Sequence, residues 1–130
     1  MKPSLSRLTI AAVLAAGFVL PAQALDNQMK IDLQATLLSF LATASDDAGR
    51  FAVIDRSTGR LTKVYAGAMH PKIVPFGDDQ ILCIEMFDDA GGKHDADFVL
   101  RRHEGGWMVV DILFNPVSYT HLTLPTIYSV

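Results

Sequence analysis

Polar and apolar positions after residue 26 repeat with the spacing of an α-helix. Apolar side chains recur three or four positions apart, with polar residues between them, and this predicts an amphipathic helix over residues 27–44. Asp26 and Asn27 are suited to cap its first turn, and Gly49 is suited to the turn after its end. The apolar positions are Ile31, Leu33, Leu37, Leu38, Phe40 and Leu41.

From residue 51 onward the repeat changes to two, which is the spacing of β-strands. Short segments rich in Asp, Gly and Ser separate the strand-like stretches and read as hairpin turns. The sequence therefore predicts an α+β fold, in which one N-terminal helix packs on a curved antiparallel meander sheet of four to five strands. The predicted strands are residues 51–55, 60–65, 81–87, 96–102 and 107–114, with a short segment at 72–75 after an irregular connection.

Residues 1–24 show the pattern of an export signal peptide. Lys2 and Arg7 precede an apolar run at 8–20, and Ala22 and Ala24 frame a small-residue cleavage site. The apolar run is too short to span a bilayer comfortably. We therefore expect an exported protein, in the bacterial periplasm or outside the cell, with no stable membrane insertion after signal removal.

The tail, residues 117–130, resembles a translated transposase-type sequencing adaptor. One reading frame of that adaptor encodes VSYTHLTLPT, followed by three variable residues, a valine and a stop codon. Residues 117–130 of the chain follow the same order. The resemblance implies that these residues are not native protein and that Tyr119, His121 and Tyr128 carry no function. We expect a single native domain over residues 25–116, truncated at its C-terminus.

The charge balance narrows the classes of partner. Without Lys2 and Arg7, nine basic residues face 14 acidic ones, a formal balance of −5. A mildly acidic domain without clusters of Lys and Arg argues against nucleic acid as a partner. Cys83 is the single cysteine, so it forms no internal disulfide, and it is expected to be a small buried hydrophobe. We find no cofactor-binding motif and expect no cofactor.

One stretch of the sheet resembles a known superfold. FVLRRHEGGWMVVDI, residues 98–112, is similar to the final hairpin of exported cystatin-like and NTF2-like domains, where a polar Gly-rich turn precedes Trp and an apolar strand. With room for a single helix before the sheet, the smaller cystatin-like layout fits better. The resemblance implies a bacterial envelope accessory domain that binds a small molecule or an envelope protein and is not catalytic.

The candidate ligand-binding residues combine aromatic and charged side chains. His70, next to Lys72 in an irregular connection, could contact an anionic group. The concave face of the sheet or this His70 segment is the expected contact region. The full set of candidates is His70, Tyr65, Arg101, Trp107 and Asp111.

Two alternatives stay open. Asp111 interrupts an apolar strand, on the face predicted for Trp107, Val109 and Leu113, and Glu85 interrupts another strand. A carboxylate on an apolar sheet face can act as a general base, so an NTF2-like enzyme is one alternative. The other is a periplasmic carrier of a hydrophobe or lipid.

The nearest sequence pattern to a metal site is His94-Asp95-Ala96-Asp97. Alternation along a strand places His94 on one face of the sheet and Asp95 and Asp97 on the other. Only His70 or His103 could complete such a set of ligands, and zinc needs three or four that converge. We therefore expect no metal site.

Overall fold

The computed structural model describes Gly17 and residues 22–116, with side chains from residue 26 onward. Residues 1–21 of the predicted signal, except Gly17, lie outside these residues. The tail from Val117 also lies outside them. No helix within the described part of the chain is long and apolar enough to cross a membrane. The elements are α1 (Ala22–Ala44), β1 (Phe51–Asp55), β2 (Arg60–Phe76), β3 (Asp79–Asp88), β4 (Lys93–His103) and β5 (Gly106–Phe114).

The strands form one antiparallel sheet in the order β1-β2-β3-β4-β5, and α1 packs against it. For the described residues, the prediction of one helix on an antiparallel meander sheet of four to five strands is confirmed, with five strands. Two turns also lie where glycines in the sequence predict them. Gly59 has a φ of 68° in the β1–β2 hairpin, and Gly49 has a φ of 77° in the turn after α1. Both values lie in the left-handed region that glycine adopts without strain.

α1 begins at Ala22, five residues before the predicted start, so Asp26 and Asn27 lie inside the helix and do not cap it. Its buried side chains are Leu33, Leu37 and Leu41, which are four residues apart and form one narrow stripe. Leu38, in contrast, is 57% exposed although the helical spacing includes it. The amphipathic pattern therefore predicts the helix correctly but overstates how much of it is buried.

The core lies between α1 and the face of the sheet that we call the inner face. The rings of Phe40, Phe51 and Phe98 meet at its centre, with centroids 6.0–6.2 Å apart. Because α1 and these side chains fill the inner face, that face is not free to hold a ligand. The inner-face residues in the core are Phe51, Val53, Val64, Leu82, Ile84, Met86, Ala96, Phe98, Leu100 and Phe114.

Two strands carry irregularities that the alternation of the sequence does not show. Residues 66–71, predicted as an irregular connection, belong to β2, but the register with β3 shifts between Ala66 and Met69 and again between Met69 and Ile73. In β5, Val109 pairs with Leu100 and Asp111 pairs with Val99, so Val110 is an extra residue. A β-bulge of this kind reverses the faces of the residues beyond it.

Candidate functional site

A groove runs between the two edge strands of the sheet, which approach each other beside α1. We call it the edge groove. Its volume is about 440 Å³, and it is open to solvent. Seven of its nine lining residues carry aliphatic or aromatic side chains. The lining consists of Phe40, Ala52, Val53, Ile54, Arg56, Val109, Val110, Asp111 and Ile112.

An ion pair crosses the edge groove. The Arg56 guanidinium lies 2.9 Å from Oδ1 of Asp111, which also accepts a hydrogen bond of 2.8 Å from the backbone N–H of Ile112. Arg56 stands in the β1–β2 turn, where the Asp55 carboxylate accepts hydrogen bonds from the backbone N–H and the hydroxyl of Ser57. The turn and the β5 bulge therefore position the two charges of the groove.

A second group of polar side chains lies on the opposite face of the sheet, which we call the outer face. One ligand atom each from His70, Cys83 and Asp95 lies within 4.8 Å of the other two. Asp97 joins them, because it pairs directly with Cys83 across β3 and β4. We call His70, Cys83, Asp95 and Asp97 the outer-face cluster.

The irregular part of β2 carries His70 over the outer face. Gly67 lies in this segment, and a Cβ atom there would come 2.5 Å from the Phe87 ring and 3.0 Å from the carbonyl oxygen of Glu85. Only glycine fits this approach without displacing its neighbours. The close approach of β2 to β3 is therefore built into the sequence at this position.

Asp97 is fully buried, and among the described residues its carboxylate oxygens meet no hydrogen-bond donor other than the weakly donating Cys83 thiol. Burial raises the pKa of Asp97, because the charged form is poorly solvated, while the neighbouring Cys83 thiol acts in the opposite direction. A buried carboxylate without a strong partner is costly for a fold. Asp97 therefore needs an explanation beyond packing.

Glu85 lies beside the cluster and forms an ion pair with the ammonium group of Lys93. Its Oε1 is 2.6 Å from Nζ of Lys93 and 3.8 Å from Nε2 of His70. The hydrogen bond with Lys93 holds the pKa of Glu85 below its usual range, with a smaller contribution from His70. Glu85 is therefore held as a carboxylate, and it neutralises the charge of Lys93 close to His70.

The five residues predicted from the sequence to bind a ligand do not form one site. His70 belongs to the outer-face cluster, and Asp111 belongs to the edge groove. Tyr65 is 39% exposed and pairs with Phe87 on the outer face. Arg101 binds Asp79, with two contacts of 2.8 Å.

Trp107 and Asp111 lie on different faces, so the prediction that they share a face is wrong. Trp107 packs against the core on the inner-face side, with Cζ of Arg102 4.2 Å from its ring centroid. Asp111 instead pairs with Val99 on the outer face. The bulge at Val110 is the physical reason, because it adds one residue to β5 and reverses the alternation.

The predicted divergence of the His94 segment is confirmed. Nε2 of His94 lies 2.8 Å from Oδ2 of Asp88, and its ring stacks on Phe114, with centroids 5.1 Å apart. Asp95 and Asp97 are on the other face with Cys83. His94 therefore stabilises the β3–β4 turn and lies apart from the outer-face cluster.

Sequence reasoning considered His70 as a possible addition to the His94–Asp97 set, but it missed Cys83 as a partner of His70 and Asp95. The signal was present in the β3–β4 hairpin, because a turn at Asp88–Gly92 places Cys83 opposite Asp97 and Glu85 opposite Asp95. The alternation of polar and apolar residues does not predict the course of β2, which has register shifts on both sides of Met69. Phe40 and Val110 of the edge groove were missed for a similar reason, since they meet only when the sheet bends.

Replacing Arg101 by methionine should make stability less dependent on pH on the acid side. Arg101 holds the pKa of Asp79 below its usual range, so the pair stabilises the fold fully above about pH 5 and loses this effect as the pH falls through the lowered pKa. Urea unfolding between pH 2.5 and 7 should show a lower midpoint for Arg101→Met at pH 7 and a smaller difference in acid. Arg60→Met, at an exposed strand position, is the control. Equal losses for Arg101→Met at every pH would contradict this prediction.

No family model matches the chain, and no curated protein or solved structure matches it.

Proposed function

We propose that this protein is an exported, non-catalytic binding domain that holds a small amphipathic molecule in the edge groove. The observation that carries the proposal is the groove itself, an open concavity of about 440 Å³ that combines apolar side chains with polar surface and one ion pair. Small-molecule sites are mostly apolar clefts of roughly 300–1,000 Å³ with a few polar groups that orient the ligand.

The lining suggests how such a molecule would lie. Phe40, Val109 and Ile112 are partly buried and also pack against the core, so they offer an apolar surface on a rigid support. The Arg56–Asp111 pair is exposed, with 67% and 46% of the two side chains accessible, so a polar head group can reach it from solvent. An anionic head group would find the free donors of Arg56, while the apolar body would displace water from the groove.

The proposal includes a cystatin-like architecture and the role of an envelope accessory domain. One helix before an antiparallel meander is the element order that this resemblance implies, and the helix filling the inner face supports it. The predicted signal peptide supports export. The ligand region differs from the expected one, because the inner face is filled by α1.

The surroundings of the two candidate bases favour binding over general-base catalysis. Glu85 is hydrogen-bonded to Lys93, which lowers its pKa, and Asp111 is paired with Arg56 at an exposed edge. A general base needs a pKa near the working pH, which burial in an apolar pocket would provide. The open groove also suits a short apolar body better than a long lipid chain.

Decanoate should bind the wild-type chain in the edge groove, and Ala52→Arg should weaken this binding at least about tenfold, which corresponds to roughly 1.4 kcal/mol. Ala52 is exposed and lines the groove, so arginine fits there without disturbing the core but occupies the space of the apolar body. Binding is measured by ¹H–¹⁵N correlation spectra below the micelle concentration. Saturable shifts should be confined to residues 52–56 and 109–112 and to the part of α1 around Phe40.

Ala35→Arg is the matched control, because Ala35 is exposed on α1 and does not line the groove. This variant should bind decanoate like the wild type. Shifts spread over the whole sheet, or equal weakening by both variants, would contradict binding in the edge groove.

A further inference from the structure

We propose that the outer-face cluster binds one divalent transition-metal ion, for which Zn²⁺ is the best match, through His70, Cys83 and Asp95. This site is separate from the edge groove and does not depend on the proposed ligand there. Three observations carry the proposal: the convergence of three different donor groups, the buried carboxylate beside them, and the local charge.

The donor atoms already lie near the spacing that a metal ion needs. Zinc bonds are about 2.0–2.3 Å long, so two ligands of one tetrahedral ion are roughly 3.3–3.8 Å apart. The three donor atoms of the cluster lie within 4.8 Å of one another. His70 and Asp95 are partly exposed and can close this difference by small side-chain rotations, while the buried Cys83 stays in place.

Asp97 is an independent indication of a cation site. It is fully buried, it stands directly across from Cys83, and the weak thiol donor of Cys83 is the single hydrogen-bond partner that its carboxylate has among the described residues. Asp97 lies two residues from Asp95 on the same face of β4 and opposite Cys83 on β3, so it borders the same point. A bound dication would compensate this carboxylate, and it would also favour the thiolate form of Cys83.

The surrounding charges permit a cation. Lys93 lies on this face, and its charge is neutralised by Glu85 at 2.6 Å. With Cys83 as thiolate, Asp95 and Asp97 add two further negative charges around one dication. The excess of negative charge favours a metal ion over an anionic ligand at this position.

The donor set selects the class of metal. An imidazole nitrogen, a thiolate sulfur and a carboxylate oxygen form a borderline-soft set, which favours Zn²⁺ and its neighbours in the first transition row over Ca²⁺ and Mg²⁺. Three protein ligands leave the fourth tetrahedral position to water or to an external ligand. Because the ligands come from β2, β3 and β4, the ion would also tie the irregular part of β2 to the sheet.

The test is metal binding by the full, untagged chain. Bound Co²⁺ should give the absorption band of a thiolate-to-cobalt charge transfer. Zn²⁺ should displace the Co²⁺ and abolish this band, with one Zn²⁺ ion bound per chain. His70→Ala and Asp95→Asn should each weaken Zn²⁺ binding more than about 100-fold, and Asp97→Asn should weaken it by about 10–100-fold, since it lies behind the ligands. Cys83→Ala should remove the charge-transfer band.

His103→Ala is the control for the imidazole, because His103 is exposed and its ion-pair contact is with the adjacent Glu104, away from the cluster. It should bind Zn²⁺ like the wild type, and so should the groove variant Ala52→Arg.

Melting of every variant in a metal chelator shows whether its fold is intact. His70→Ala, at a partly exposed position, should melt like the wild type. Absence of the charge-transfer band in the wild type, or unchanged binding by His70→Ala, would overturn the site. Loss of decanoate binding in Ala52→Arg with Zn²⁺ binding unchanged would separate the two proposals.

Discussion

Phe98→Ala is expected to lower the free energy of unfolding by about 3–5 kcal/mol. Phe98 is fully buried on β4 and lies 6.2 Å, between ring centroids, from both Phe40 of α1 and Phe51 of β1. Its removal therefore takes away the ring that joins the helix, an edge strand and the middle of the sheet. Urea unfolding monitored by circular dichroism measures the change.

Two terms make this loss large. The buried ring loses its transfer free energy, and a cavity stays behind because the surrounding backbone of a paired strand cannot collapse into it. Aromatic pairs in edge-to-face geometry add about 0.5–1.5 kcal/mol beyond the buried area. For a single domain of this size, the expected loss is a large part of the total stability.

Phe76→Ala is the matched control. Phe76 stands at the end of β2 and is 41% exposed, so the same substitution should cost only about 1 kcal/mol. If Phe98→Ala and Phe76→Ala lowered the free energy of unfolding equally, the core would not be organised around Phe98.

Leu37→Ala should lower the free energy of unfolding by about 2–5 kcal/mol, whereas Leu38→Ala should change it by no more than about 0.5 kcal/mol. The two leucines are neighbours on α1, but Leu37 is fully buried and Leu38 is 57% exposed. Both substitutions lead to the residue with the best helix propensity, so propensity cannot explain a difference between them.

This pair of variants tests how α1 is docked on the sheet. Leu37 belongs to the same buried stripe as Leu33 and Leu41, and its loss leaves a cavity against the inner face. A rotation of the helix by about 100°, one residue step, would bring Leu38 inward in its place. A larger loss from Leu38→Ala than from Leu37→Ala would therefore show that the helix docks through another face.

Much of the fold follows from local pattern. Alternation and turn residues place the β1–β2 hairpin at Asp55–Gly59 and the β3–β4 turn at Asp88–Gly92, and both are found there. These features depend on residues close together in the chain, where backbone preference and side-chain spacing act directly. The start of α1 was less predictable, because the capping pattern at Asp26 and Asn27 also occurs inside helices.

The candidate sites follow from irregularities that the pattern hides. The register shifts in β2 bring His70 to Cys83 and Asp95, which are distant in sequence. The extra residue at Val110 separates Asp111 from Trp107 and helps to form the edge groove. A bulge inserts one extra residue and so shifts the alternation of the residues beyond it. Its position depends on pairing with the partner strand, and the periodicity within one strand carries no information about that pairing.

The sequence alone was therefore sufficient for one helix followed by antiparallel strands joined by short turns, although residues 66–75 continue β2 and do not form a connection and a separate strand. These are consequences of spacing and turn chemistry within a few residues. Only the tertiary structure decided which helix face is buried, that the inner face is filled, and which polar side chains converge. Packing and strand register determine these features, because they depend on the free energy of contacts between segments far apart in the chain. Asp97 shows the difference most clearly, since nothing in its own strand distinguishes it from Asp95, yet only Asp97 is fully buried.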